Sequence, residues 1–144
     1  MVVVSVSMDD ALLDRVDEFA DEHGYTGRSE VIREAARALL GEFDDRRLDG
    51  RELTGTVTAL FEYDSPAVER RMMDLRREYE SLVVSNAHHC VGDERGCVET
   101  FVVEGDLSQI SAFVGALRST AETMTVDYAL NPIDGIVDPL ASER

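Results

Sequence analysis

Residues 2–8, VVVSVSM, alternate like a single β-strand: Val2, Val4, Val6 and Met8 share one face, and Val3, Ser5 and Ser7 share the other. Two amphipathic helices follow. Asp9 has the side chain of an N-cap and Asp10 lies in the first turn. Leu12, Leu13, Val16, Phe19 and Ala20 then recur at helical spacing up to Gly24, a residue suited to the left-handed position that ends a helix. A second helix begins near 26–29 and runs to about residue 40, with Val31, Ile32, Ala35, Ala36, Leu39 and Leu40 inward. A unit of roughly 45 residues is too small to bury a sufficient core alone. Its lone strand also leaves backbone N–H and C=O groups unpaired. Pairing with the same strand of a second copy answers both problems. The segment therefore predicts an intertwined homodimer on a two-stranded antiparallel ribbon, whose outer face carries Val3, Ser5 and Ser7 twice.

The stretch 41–51, GEFDDRRLDGR, is charged and bounded by glycine, and reads as a linker. Beyond it the pattern changes. Strand-like alternation at 53–63 is followed by a helical pattern at 65–79, with Val68, Met72, Met73 and Leu75 inward. Strands are expected at 82–91 and 97–103. A helix is expected at 107–119, with Leu107, Ile110, Phe113, Val114 and Leu117 inward, and a last strand at 124–130. The order βαββαβ is that of a ferredoxin-like fold. The whole chain is then α+β: a first domain at 1–42, a linker at 43–51, a ferredoxin-like regulatory and oligomerisation domain at 52–132, and a tail at 133–144.

Charge narrows the setting. The net charge is −16, and all 14 basic residues are arginine, with no lysine. Such a surface ordinarily opposes a nucleic-acid partner. In a salt-rich cell the Debye length falls to about 3 Å at 1 M, so distributed repulsion is screened and only contacts at bonding distance matter. No apolar run approaches a membrane span and no signal pattern opens the chain, so a cytoplasmic protein without a membrane partner is expected. The two cysteines, Cys90 and Cys97, are too few for a secreted disulfide framework. They read as a metal pair, as buried thiols, or as a thiol switch between adjacent strands.

The segment VSVSMDDALLDRVDEFADEHGYTGRSEVIREAARALL resembles a ribbon-helix-helix domain of the CopG and nickel-responsive regulator type. Its marks are the short alternating strand, the Asp-Asp-x-Leu-Leu helix start, and Gly-Tyr-x-x-Arg-Ser-Glu-x-Ile-Arg from Gly24 to Arg33. The resemblance implies that the paired strands enter the major groove of double-stranded DNA, with Val3, Ser5 and Ser7 facing base edges. Arg28 and Ser29, at the start of the second helix, would clamp a backbone phosphate. Relatives often carry a basic residue at the first ribbon position, where this chain has Val3.

The second half resembles the C-terminal domain of nickel-responsive regulators, a ferredoxin-like module that tetramerises. The match lies in VVSNAHHC, ending at Cys90, and CVETFVVEGD, starting at Cys97. In that family a His-x-His pair and a Cys supply three metal ligands, and a neighbouring subunit adds a fourth His. Residue by residue, His88 falls on the first histidine, Cys90 on the second, and Cys97 on the cysteine. Glu99 is placed to orient a ligand, and Arg77 stands where the partner histidine is expected. Glu80 or His89 remains to complete the shell. Nickel follows from the resemblance, whereas one imidazole with two thiolates suits zinc or copper(I) better than square-planar nickel. Glu30 and Glu34, one helical turn apart, fall where related regulators hold a second cation.

These readings converge on a DNA-binding transcriptional regulator, a repressor, responsive to a transition metal and assembled as a homotetramer. The alternative keeps DNA binding and gives the second domain a small organic ligand, a thiol redox role, or oligomerisation alone. A third class, an interaction protein of the antitoxin kind, sits poorly with a long regular second domain. No nucleophile elbow, phosphate-binding glycine loop or HExxH motif occurs, so an enzyme is not expected.

Overall fold

The computed structural model describes residues 1–93, 95–121 and 123–134. Of the tail expected at 133–144, residues 135–144 therefore lie outside the described residues. The chain divides into two compact units, Met1–Asp44 and Asp45–Arg144.

In the first unit α1 (Asp10–His23) opens on Asp9, whose Oδ1 accepts the Leu12 N–H at 2.7 Å. It closes on Gly24 at φ 74°, ψ 24°, whose N–H returns to the Ala20 carbonyl. The left-handed backbone there is the conformation that glycine adopts without steric cost. Helix α2 (Arg28–Gly41) starts after Gly27, with no side-chain cap of its own. Glu30 instead reaches back one turn to accept the Thr26 N–H at 2.7 Å.

Two expectations of the first unit concern a paired dimer, and one chain taken alone leaves both unmet. Residues 2–8 form no strand within the single chain, and Val2, Val3, Val4 and Val6 are exposed. The unit offers no second strand, so a ladder has nothing to bond to inside one copy. The helical stripe is also largely uncovered: Ala20 alone is buried in α1 and no residue of α2 is, with Leu12, Phe19, Leu39 and Leu40 exposed. Two short helices cannot close over their own apolar faces.

The second unit is a four-stranded antiparallel sheet of β1 (Leu53–Glu62), β2 (Val83–Val91), β3 (Gly96–Gly105) and β4 (Thr125–Pro132), in the order β2-β3-β1-β4. Helices α3 (Pro66–Glu78) and α4 (Leu107–Arg118) complete the βαββαβ order of the ferredoxin-like fold. Alternation selects the buried face: Val57, Ala59 and Phe61 of β1 stand with Cys97, Glu99, Phe101 and Val103 of β3. Against them pack Met72 and Leu75 of α3 and Leu107, Ile110, Phe113, Val114 and Leu117 of α4. Phe101 meets Phe113 edge to face at 5.0 Å, a favoured aromatic arrangement. Met73, expected inward, is exposed, because the buried stripe of α3 runs through Met72 and Leu75. Val68 is only half-buried.

Asp106 starts α4 with a reciprocal capping box: its carboxylate accepts the Gln109 N–H at 2.8 Å, and the Gln109 side chain accepts the Asp106 N–H at 3.0 Å. The Gly105–Asp106 turn is thus a helix entry. Gly55 is where β1 and β4 press closest, since a Cβ there would stand 2.0 Å from the Ala129 carbonyl oxygen.

Candidate metal centre and DNA-facing residues

The β2–β3 hairpin builds the cluster. Cys90 lies directly opposite Cys97, and His88 opposite Glu99. Directly opposed residues share a face, and so do residues two apart on one strand. His88, Cys90, Cys97 and Glu99 therefore all project from one face of the sheet, the face that carries the core. His89 pairs with Val98 and belongs to the other face.

Glu99 anchors the arrangement. Its side chain is 1% exposed, and an unpaired carboxylate there would be costly. Arg76 Nη1 donates to Oε1 at 2.6 Å, Asn86 Nδ2 donates to the same oxygen at 3.0 Å, and His88 Nδ1 lies 2.5 Å from Oε2. A carboxylate that receives two donors beside a guanidinium is an acceptor, so the His88 proton sits on Nδ1. The other ring nitrogen, Nε2, then presents its lone pair 3.4 Å from Cys90 Sγ. This orientation of a ligating imidazole by a carboxylate is a recurrent device of metal sites.

The two sulfurs are 2.7 Å apart. Cys90 is exposed and Cys97 is buried, and both are free thiols. Burial pushes the Cys97 thiol up from 9.0 to about 11, with further contributions from its hydrogen bond to Cys90 and from the charges of Cys90, Glu69 and Glu99. The donor atoms of His88, Cys90 and Cys97 all lie within 4.8 Å of one another. Two sulfurs and an imidazole nitrogen at this spacing form a donor set that fits a thiophilic transition metal. Among the described residues, neither His89 nor Glu80 joins the cluster. Arg77, at the position expected of a partner's ligand, is exposed. A cavity of about 230 Å³ opens beside the cluster, lined by Phe61, Glu69, Met72, Met73, Arg76, His88 and Glu99.

In the first unit, Val3, Ser7, Arg28 and Ser29 line one groove of about 740 Å³, while Ser5 does not line it. Arg28 makes a two-pronged pair with Asp17, Nη2 to Oδ2 at 2.9 Å and Nε to Oδ1 at 3.2 Å. The proposed second-cation acids already have partners within the chain. Glu34 accepts from Arg37 Nη1 at 2.5 Å. Glu30 accepts from both the N–H and the hydroxyl of Thr26, and these bonds hold its carboxyl below the usual range.

Comparison with known proteins places both units. Residues 54–131 match the family described as the NikR C terminal nickel binding domain, and residues 2–42 match the ribbon-helix-helix protein, copG family. A protein of Halobacterium salinarum named "Putative nickel-responsive regulator" is 58% identical over 93% of this chain and 94% of its own length. The chain belongs to the nickel-responsive regulator family. A Haloarcula marismortui protein of the same name is 59% identical over 94% of this chain and 97% of its own length. One from Pyrococcus furiosus is 34% identical over 83% and 85%. Membership of this family makes the chain a metal-responsive regulator with a ribbon-helix-helix arm, and not an enzyme. Relatives among halophilic archaea accord with a lysine-free, strongly acidic composition.

Arg76 and Asn86 were not singled out in the sequence. Arg76 is 23 residues from Glu99 and meets it only through the packing of α3 on the sheet. For Asn86 a signal existed, because its spacing of two from His88 puts both on the ligand-bearing face.

Proposed function

We propose that this protein is a transcriptional repressor that binds double-stranded DNA through a dimeric ribbon and senses a transition metal at His88, Cys90 and Cys97. The observation that carries the reading is the convergence of those three donors around a buried carboxylate that fixes the imidazole tautomer. Membership of the family supports nickel as the effector, and the sulfur-rich donor set supports zinc or copper(I). Glu99 acts through His88 and is a positioning residue. A metal held here would leave coordination positions for water or for a residue of another subunit, in keeping with a homotetramer formed through the ferredoxin-like domain.

A second copy accounts for the exposed faces of the first unit. The groove of about 530 Å³ lined by Leu12, Val16, Phe19, Val31, Ala35 and neighbouring residues is apolar and uncovered in one chain, and intertwining of two copies buries such a stripe. The paired ribbon then offers Val3, Ser5 and Ser7 to base edges, and the Arg28–Ser29 helix start to a phosphate. Domain limits of 1–42 and 52–132 follow, with 43–51 as the linker. Among the described residues no helix is long and apolar enough to cross a membrane, and a DNA-binding regulator works in the cytoplasm. An effector regulates by binding one arrangement of the oligomer better than another.

The test is metal analysis of purified protein beside its Cys97→Ser variant, with native mass and a DNA-binding titration at matched salt. Stoichiometric metal lost in the variant, with metal-dependent DNA binding by the unaltered protein, is the expected result. Metal-free protein with full DNA binding would overturn the metal-responsive reading.

A further inference from the structure

We propose that Cys90 and Cys97 form a reversible dithiol–disulfide couple, and that closing the disulfide withdraws both sulfurs from the metal centre. The second half of the statement rests on the metal reading given above; the first does not. The two residues face each other across the β2–β3 ladder. Their sulfurs are 2.7 Å apart, less than 1 Å beyond the ~2.05 Å of a covalent S–S bond. Opposed positions on antiparallel strands bring Cα atoms to about 4.5–5.5 Å, within the roughly 4.4–6.8 Å that a disulfide spans. Closure needs only small shifts, because the β2–β3 ladder holds the two residues opposite each other.

The two sulfurs differ in access, which gives the reaction an order. β2 is an edge strand and Cys90 is exposed, whereas Cys97 is 1% exposed. A hydroperoxide therefore meets Cys90 first. The Cys90 sulfur attacks one peroxide oxygen: an S–O bond forms, the O–O bond breaks, and water leaves with the thiol proton. The Cys97 sulfur then attacks the Cys90 sulfur: an S–S bond forms, the S–O bond breaks, and a second water leaves with the Cys97 proton. Two thiols give up two electrons and two protons, and hydrogen peroxide becomes two molecules of water. A small dithiol reductant reverses the change by exchange at sulfur. Oxidation leaves His88 as the one remaining donor of the three.

The couple provides an input distinct from the metal concentration, since an oxidant empties the site while metal is still abundant. Bound metal in turn occupies both sulfurs and shields them.

The experiment uses the full chain, stripped of metal by a chelator and treated with one equivalent of hydrogen peroxide. Intact mass with and without a thiol alkylator in denaturant then counts free thiols, and non-reducing electrophoresis reports crosslinks between chains. Zinc is the binding probe for both forms. The expected result is a monomer-sized chain about 2 Da lighter with no alkylatable thiol, and two thiols restored by dithiothreitol. The reduced form should take up one zinc per chain, and the oxidised form should bind it at least ~100-fold more weakly. Prior loading with zinc should slow the oxidation. A Cys90→Ser variant changes only the exposed member, so it should fold, keep one alkylatable thiol under peroxide, and form no intrachain bond. Oxygen added to Cys90 with Cys97 still alkylatable, or crosslinks between chains, would each overturn the couple, and undiminished zinc binding after disulfide closure would overturn the withdrawal of ligands. Reduced protein that binds neither zinc, nickel nor copper(I) would instead overturn the metal reading, and the withdrawal of ligands with it, while the mass measurement still reports whether the disulfide closes.

Discussion

His88 Nδ1 sits 2.5 Å from Oε2 of Glu99, a carboxylate 1% exposed beneath the sheet's core face. Because Glu99 also takes donors from Arg76 and Asn86 on its other oxygen, the ring is held in one tautomer. Glu99→Gln keeps the size of the side chain and removes its charge, and the amide can turn an N–H toward His88. Zinc affinity should fall about 10- to 100-fold, as read by competition with a chromophoric chelator. An unchanged affinity would show that the carboxylate does not position the imidazole.

The raised Cys97 thiol sets two opposite pH dependences. Its ordinary value is 9.0 and its folded value about 11. Between those limits the unfolded chain has released the proton and the folded chain has kept it, so the unfolded state binds fewer protons. The stabilisation is complete below about pH 9 and is lost as pH rises towards about 11. Denaturant midpoints of the metal-free protein should fall across that window, and less so in Cys97→Ser. Metal binding runs the other way, because the ligand is the thiolate. Below pH 9 the apparent zinc affinity should climb by about tenfold per pH unit for this thiol alone. An affinity independent of pH would remove Cys97 from the ligand set.

Local chemistry made much of this molecule legible before the structure. Asp9, Gly24 and Asp106 act at helix ends as their side chains dictate, and the alternation in 53–63 and 97–103 gives the buried faces of β1 and β3 directly. His88, Cys90, Cys97 and Glu99 were singled out through the family resemblance, and the pairing of β2 with β3 puts all four on one face. Contacts across elements were not legible. Arg76 is one position away from the residue that the resemblance emphasised, yet it is Arg76 that reaches Glu99, because the rotation of α3 about its axis is set by Met72 and Leu75 packing on the sheet. The pairing of Arg28 with Asp17, 11 residues away, likewise depends on how α1 and α2 cross. The strand at 2–8 was read from a pattern whose partner, in the proposed ribbon, is a second copy.

Gly55 tests the sheet independently of the site. A methyl group there would lie 2.0 Å from the Ala129 carbonyl oxygen and 3.0 Å from Leu130 Cα, all backbone that cannot rotate away. Gly55→Ala must push β1 and β4 apart or unbalance the ladder between them, at a cost of about 1–3 kcal/mol. Chemical denaturation should show the loss with the zinc stoichiometry unchanged. A neutral result would mean that the two strands separate freely at this point.

On the DNA-facing side, Ser5 and Arg28 should fail differently. Ser5→Ala removes a donor and acceptor from the proposed ribbon face, so it should change sequence preference, at about 1–3 kcal/mol for the affected base pair. Arg28→Ala removes a cation beside the α2 start and should weaken all sequences similarly, while reducing the salt dependence by about one charge. Its pair with Asp17 is solvent-exposed on both sides, so the effect on folding should stay within about 1 kcal/mol. Titrations against matched and scrambled duplexes at two salt concentrations separate the cases. If neither variant alters the footprint, the ribbon is not the reading surface.

The donor set also ranks the metals. Nickel in a square-planar site is favoured by imidazole and other nitrogen donors, whereas thiolates favour zinc and copper(I). This chain carries sulfur at both position 90 and position 97, with His88 as the one nitrogen donor in the cluster. Its neighbouring α3 side chains, Met72 and Met73 beside Arg76, add no further imidazole. Zinc should therefore displace nickel when both are offered at equal free concentration under reducing conditions, and Cys90→His should shift the preference back towards nickel. Competition followed by native mass and visible absorption reads the outcome. Retained nickel with a square-planar spectrum would show that ligands from another subunit, and not the two sulfurs of this hairpin, decide the metal.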